Sequence, residues 1–193
     1  SRLDAREPEA AWRAIRTDHP APGELWKATP PIVSELESFV RQRSLVPVVE
    51  GEPGGNLTTA QLSWLDEQLA KHTTRPTLIA MHHPPFATGI KHMDAQGLAP
   101  EACAELERVV SRHAHVERVT CGHLHRSITR RWAGTVVGTV PSVAHAVAFD
   151  LRPEAQGAWN YEPPSITVHQ WTGSSLLTHQ VGSGDFPARR YNP

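Results

Sequence analysis

The stretch TLIAMHHPP at residues 77–85 decides the fold class of this sequence. Its first five residues, 77–81, form a continuous apolar run, which is typical of a strand buried in a parallel sheet. Two histidines and two prolines follow at the end of that run. A second stretch, VERVTCGHLH at residues 116–125, repeats the order of a strand and then histidines.

Each of the two strands follows a predicted amphipathic helix. Residues 58–61 have the form of a capping box, and leucines recur behind it at helical spacing. Pro100 opens a second helix, which carries apolar residues along one face. Two hairpins are predicted further along, at 127–140 and 165–181, where the pattern becomes antiparallel. Helices that alternate with strands predict an α/β fold.

The composition excludes several classes of function. The chain has 193 residues, 39% of them hydrophobic, with 19 Lys and Arg against 20 Asp and Glu. Without an excess of cations, nucleic acid is not expected as the main partner. No apolar run reaches the roughly 18–20 residues that cross a bilayer, and no signal peptide is recognisable, so a cytoplasmic protein without membrane contact is expected. The two cysteines, Cys103 and Cys121, fit a reducing compartment.

The histidines that follow the two strands are expected to converge. Ligands of open α/β sheets bind beyond the carboxyl ends of the strands, and neighbouring strands would bring His82 close to His123 and His125. In an extended segment residues two apart project to the same side, so His123 and His125 would both face this crevice while Leu124 packs behind them. Imidazole is a common metal ligand, and the pattern therefore predicts a metal site.

MHHPP at 81–85 and CGHLH at 121–125 resemble the last two motifs of the calcineurin-like metallophosphoesterases. GEPGG at 51–55 and the stretch from TGI to QGL at 88–98 resemble that superfamily's bacterial cyclic nucleotide and glycerophosphodiester phosphodiesterases. The likeness covers roughly residues 45–172. It implies an αββα sandwich and two metal ions, drawn from Mn, Fe, Zn or Co, that serve the hydrolysis of phosphate esters.

Carried over to this sequence, the resemblance implies that His82 and His123 bind one ion and that His125 binds the other. His83 would then either contact a metal ligand from behind or face the substrate, and it is the candidate catalytic residue. His92 and His145 lie in loops that would line the substrate cleft, and neither is assigned as a ligand.

Three further motifs of that family, D-x-H, G-D and G-N-H, are absent from the places where the family has them, and none of the six Asp residues precedes a His by two positions. The dipeptide Gly184-Asp185 lies in the expected C-terminal tail and is not carried over. The fold is therefore expected to be incomplete on its N-terminal side. Residues 1–44 have no assignment, 45–182 form the C-terminal half of the domain, and 183–193 form a tail. Two divalent ions about 3.5 Å apart repel by roughly 19 kcal/mol at an effective dielectric constant of 20, which three neutral imidazoles cannot offset. One zinc ion held by three imidazoles stays open as an alternative.

Two explanations fit this pattern: the sequence is part of a longer chain, or it is a shortened relative that has lost the chemistry. The first is favoured because the remaining motifs are intact. The predicted function is hydrolysis of a small phosphodiester, of the cyclic nucleotide or glycerophosphodiester type, by a metal-activated water. The alternative is a catalytically inactive structural or oligomerisation module. The resemblance also implies a homo-oligomer.

Overall fold

The computed structural model describes residues 53–187 and 189–191. The chain divides into two units, 1–43 and 44–193, and every described residue belongs to the second. The unassigned segment 1–44 and the first two residues of the GEPGG motif therefore lie outside the described residues. In the described part of the chain, no helix is both long enough and apolar enough to cross a membrane.

Both predicted helices are present. Helix α1 spans Thr59–Ala70, and its capping box is complete: the Thr58 side chain accepts from the Gln61 backbone N–H, and the Gln61 side chain accepts from the Thr58 N–H. A single turn, α2, spans Lys91–Asp94 and was not predicted. Helix α3 spans Pro100–Val110, with proline in the first turn, where a missing N–H costs nothing.

The main sheet has four strands in the order β1-β2-β4-β3. Strands β1 and β2 pair in parallel, which confirms that the two strands that carry histidines are neighbours. Strand β4 is antiparallel to β3, as the predicted hairpin requires, but parallel to β2 on its other side. The strands span Thr77–Met81, Val116–Cys121, Ile128–Trp132 and Thr135–Thr139.

The core lies between this sheet and helices α1 and α3. Ile79, Val119 and Val137 stand opposite one another across three strands and are 5%, 0% and 0% exposed. They belong to one apolar cluster with the inner faces of both helices. Ala80, on the other face of β1, is exposed. Strand β1 is therefore buried on one face within the described residues, the face that carries Ile79 and packs against both helices.

Two pairs of antiparallel strands complete the described structure. The predicted second hairpin is confirmed as β7, Ser165–Trp171, and β8, Leu176–Gly182. The short strands β5, Ala146–Val147, and β6, Trp159–Asn160, form a ribbon that was not predicted. Together the helices and the mixed sheet confirm the predicted α/β class.

Candidate metal centre

The two histidine loops meet at the carboxyl ends of β1 and β2. The last register pair of these strands is Met81 with Cys121, so each loop starts at the same edge of the sheet. The Gly122 N–H then points to the carbonyl oxygens of Met81 and His82, at 3.3 and 3.0 Å. A Cβ at Gly122 would lie 3.4 Å from the His82 ring. Glycine there allows the two loops to approach this closely.

Three histidines gather at this edge: His82, His83 and His123. Their potential ligand atoms all lie within 4.8 Å of one another, and within the described ranges this histidine trio is the single group of its kind. The ring centroids are 4.5 to 5.2 Å apart. The structure thus brings together two predicted ligands, His82 and His123, and the predicted catalytic residue His83.

Two ring nitrogens of the trio are buried without a hydrogen-bond partner in the described structure: Nδ1 of His83 and Nε2 of His123. The backbone of Pro53 lies close to the His83 ring and that of Met93 close to the His123 ring, and each contact acts to raise the pKa of its histidine. Leaving a buried polar atom unpaired costs about 1–3 kcal/mol, so such an atom calls for a ligand. A ring fixed by a backbone carbonyl on one side and open on the other is the usual arrangement of a metal-binding histidine.

The surroundings keep these rings neutral. Burial, followed by the neighbouring histidines, lowers the pKa of His123 to about 4. Burial also lowers the pKa of His82 and of His83, with a further contribution from a nearby imidazole in each case. A histidine binds a metal ion through the lone pair of its neutral form, and the trio therefore offers that form at neutral pH.

The loop after β2 has an unusual backbone. His123 and His125 have φ angles of 69° and 53°, in the left-handed region that side chains other than glycine rarely adopt. The extended conformation expected for this segment is therefore wrong. Each such residue costs on the order of 1–2 kcal/mol, a strain that concentrates at functional sites. The expected packing of Leu124 is confirmed, because it is 1% exposed and contacts a second apolar cluster with Ile90 and Val147.

His125 lies beside the trio but is not part of it. Its ring is 4.5 Å from that of His145, and its buried Nδ1 has no partner in the described structure. A charge on His125 contributes to lowering the pKa of both His82 and His123. His92 also stays outside the trio and lies against Gly157.

Asp94 fixes the loop that leads to helix α2, and the sequence did not identify it as a site residue. One carboxylate oxygen accepts from the backbone N–H and the hydroxyl of Thr88, both at 2.7 Å, and the other accepts from the Gly89 N–H at 2.9 Å. Helix α2 carries Met93, whose backbone lies close to the His123 ring. The only signal in the sequence was the resemblance of the stretch 88–98.

The GEPGG motif and the stretch 88–98, which both resemble the bacterial phosphodiesterases, lie against each other. The Gly55 N–H donates to the Gly97 carbonyl at 3.0 Å, and the Ala99 N–H donates to the Gly55 carbonyl at 2.9 Å. A Cβ at Gly54 would lie 3.2 Å from the Gly97 oxygen, so glycine is needed for this approach. Two segments that are far apart in the sequence thereby pack together. Pro53, which lies close to His83, belongs to the first of them.

Sequence comparison finds phosphodiesterases. No family profile matches the chain. A probable glycerophosphodiester phosphodiesterase GpdQ of Arcobacter nitrofigilis is 36% identical over 163 residues, which are 81% of this chain and 59% of that protein. A probable cyclic nucleotide phosphodiesterase of Rhodopseudomonas palustris is 37% identical over 65% of this chain and 46% of its own length. The 3′,5′-cyclic adenosine monophosphate phosphodiesterase CpdA of Escherichia coli K12 is 35% identical over 56% and 41%.

Among solved structures, a dimetal phosphatase from Danio rerio covers 92% of this chain and 52% of its own, with 17% identity and a TM-score of 0.39, a likeness too weak to bear on the site. The chain spans about half the length of the curated relatives it matches. These relatives confirm the resemblance predicted from the histidine motifs: the chain is similar to bacterial glycerophosphodiester and cyclic nucleotide phosphodiesterases.

Proposed function

We propose that this chain contributes the histidine side of a metal-dependent phosphodiesterase site, which hydrolyses small diesters of the cyclic nucleotide or glycerophosphodiester type. The observation that carries the proposal is the histidine trio, with ligand atoms within 4.8 Å of one another. The names of the relatives agree with this reaction class.

The residues present fit a metal ion. The unpartnered nitrogens of His83 and His123 are buried, and backbone lies close to both rings. Neutral imidazoles suit zinc, iron and cobalt better than magnesium or calcium, which prefer oxygen. Three of them leave a zinc ion one open position, as in hydrolytic sites. We propose His82 and His123 as ligands of this ion, with His83 facing the same point.

A second ion needs more than the described residues provide. No Asp or Glu of the described ranges belongs to the trio, so this part of the chain supplies no bridging carboxylate. His125 stays the proposed ligand of that second ion, because its buried Nδ1 has no partner in the described structure and it lies in the same loop as His123.

A bound ion would supply an acidified water and neutralise charge on the phosphoryl oxygens. The chain's own contribution is to hold the imidazoles neutral and fixed. Burial lowers the pKa of His83 and His123, which favours their neutral form, and the backbone of Pro53 and Met93 lies close to these two rings. Such preorganisation reduces the entropy lost when a ligand is held.

The test is metal binding and turnover of the purified chain, measured together. Cobalt(II) absorbs visible light with an intensity that reports its coordination, and bis(4-nitrophenyl) phosphate reports diester hydrolysis. We expect the wild type and the exposed control variant His179→Ala to bind cobalt and to turn over with added metal, whereas His82→Ala weakens binding more than about 100-fold. A wild-type chain that binds no ion and hydrolyses no diester would refute the proposal and favour the inactive module.

A further inference from the structure

A row of four aromatic rings leads away from the histidine trio. The His125 ring lies 4.5 Å from that of His145, and the His145 ring lies 5.6 Å from that of Trp159. The Trp159 ring in turn lies 5.2 Å from that of Tyr161. The row therefore starts in the loop after β2 and ends away from the trio.

The outer two rings of this row are exposed. Trp159 is 60% and Tyr161 is 79% accessible to solvent, and neither belongs to either apolar cluster of the structure. Their ring planes are nearly perpendicular, at 84°. Core packing does not explain these two large aromatic side chains, and exposed rings of this kind mark binding surfaces.

The backbone beneath the outer rings is held in place. Trp159 opens strand β6 and pairs with Val147 of strand β5. Arg126 donates to the Val147 carbonyl at 3.0 Å and forms an ion pair with Glu162. Residues two apart in an extended segment project to the same side, which places Trp159 and Tyr161 together. A surface fixed in this way loses little entropy when a ligand stacks on it.

We propose that Trp159 and Tyr161 form a stacking subsite for a planar aromatic substituent of the phosphodiester, such as a nucleobase or an aryl group. This inference rests on the proposed function, since the phosphoryl group is taken to lie at the histidine trio. Every nucleobase has a π face that stacks on Trp or Tyr, whereas glycerol and ethanolamine have none. The subsite therefore favours nucleoside and aryl diesters over glycerophosphodiesters.

The first experiment compares two substrates with and without the Trp159 ring. Hydrolysis of 3′,5′-cyclic AMP and of glycerophosphoethanolamine is measured for the wild type, Trp159→Leu and the control Trp171→Leu, which lies on strand β7. We expect Trp159→Leu to raise KM for cyclic AMP about tenfold, with kcat within about twofold and no change for glycerophosphoethanolamine. The control variant changes neither substrate selectively. Equal losses on both substrates, or no loss on either, would overturn the inference.

A second measurement needs neither metal nor turnover. Adenosine 5′-monophosphate is titrated into the metal-free chain while tryptophan fluorescence is followed. We expect saturable quenching in the wild type, a Kd about tenfold higher in Trp159→Leu, and near wild-type binding in Trp159→Phe, which keeps a π face. If neither substrate is hydrolysed, the proposed function fails while this titration still decides the subsite. Unchanged quenching in Trp159→Leu, or conversion of an oligomer to a monomer by that variant, would overturn it.

Discussion

Strand β2 has histidines next to both of its ends, and the two ends differ in the partners that they offer to the histidine rings. Before the strand, the His113 ring nitrogen Nε2 lies 2.7 Å from the Asp66 carboxylate. After the strand, Nε2 of His123 is buried without a partner in the described structure. Residue type alone therefore does not separate a structural histidine from a candidate ligand. The difference lies in whether the fold provides a counter-group.

At the end before the strand, the carboxylate of Asp66 pairs with both of its neighbouring cationic or hydrogen-bonding side chains. Asp66 of helix α1 accepts from His113 with one oxygen, and its other oxygen lies 2.8 Å from Arg112. These contacts join α1 to the segment after α3. His115 also has a buried, unpartnered Nε2, but its ring neighbour is His113, which is already bound to Asp66. No group of potential ligands like the trio forms there within the described residues.

The largest expected effect is on metal affinity at the trio. His123→Ala removes a proposed ligand, and we expect zinc affinity to fall more than about 100-fold, as measured by competition with a chromogenic chelator. The melting temperature of the metal-free chain should change by no more than about 2 °C, because the variant also removes an unpaired buried nitrogen. Unchanged zinc affinity in His123→Ala would show that the two ends of β2 do not differ in metal binding.

The opposite pattern is expected at the other end of the strand. His113→Ala removes a hydrogen bond to a charged group and leaves a small void, which should lower the free energy of unfolding by about 2 kcal/mol. Zinc affinity should stay within about twofold of the wild type, since His113 lies at the other end of β2. Urea titration of the metal-free chain measures the first effect and chelator competition the second. A variant that keeps full stability would show that the Asp66 contact is incidental.

A smaller effect on metal affinity is expected from Asp94. In Asp94→Asn, one carboxylate oxygen is replaced by an amide that cannot accept the Gly89 N–H, and the loop to Met93 and His123 loosens. We expect zinc affinity to fall about tenfold, as for other partners behind metal ligands. Asp150→Asn is the matched control, because Asp150 pairs with Arg152 on the surface. Equal effects of the two variants would remove Asp94 from the account of the site.

The smallest expected effect is a pH dependence of stability. The hydrogen bond from His113, together with Arg112, lowers the pKa of Asp66 below its usual 3.8. A lowered carboxyl pKa stabilises the fold at pH values above the unfolded pKa, and this contribution is lost as the pH falls through the folded value. Asp66 is partly exposed, so we expect wild type and Asp66→Asn to differ by about 1 kcal/mol at pH 6, and we expect this gap to narrow as the pH falls below 3.8. Urea titrations over a series of pH values from 6 downwards measure the gap, and a gap that widens as the pH falls would contradict the assignment.

The elements that local pattern specifies were predictable from the sequence. The capping box at Thr58, the strands that precede the histidines and the two longer hairpins are all found. Periodicity and turn residues encode these features over short distances. The parallel pairing of β4 with β2 was not predicted, because register between distant segments depends on tertiary packing.

The candidate site was predictable in its residue types but not in its geometry. Strand ends predicted that His82 lies near His123 and His125, whereas the structure groups His82 and His123 with His83. No local rule gives positive φ angles to His123 and His125. The backbone contacts at Pro53 and Met93 were equally hidden, since any residue has a carbonyl group.

The packing of Leu124 affects the positions of two histidines at once. It stands between His123 and His125, and its side chain packs with Ile90, which precedes helix α2, and with Val147 of strand β5. A change in the size of this one side chain is therefore expected to displace both neighbouring imidazoles together. A substitution at Leu124 would alter the site while every imidazole stays in the chain.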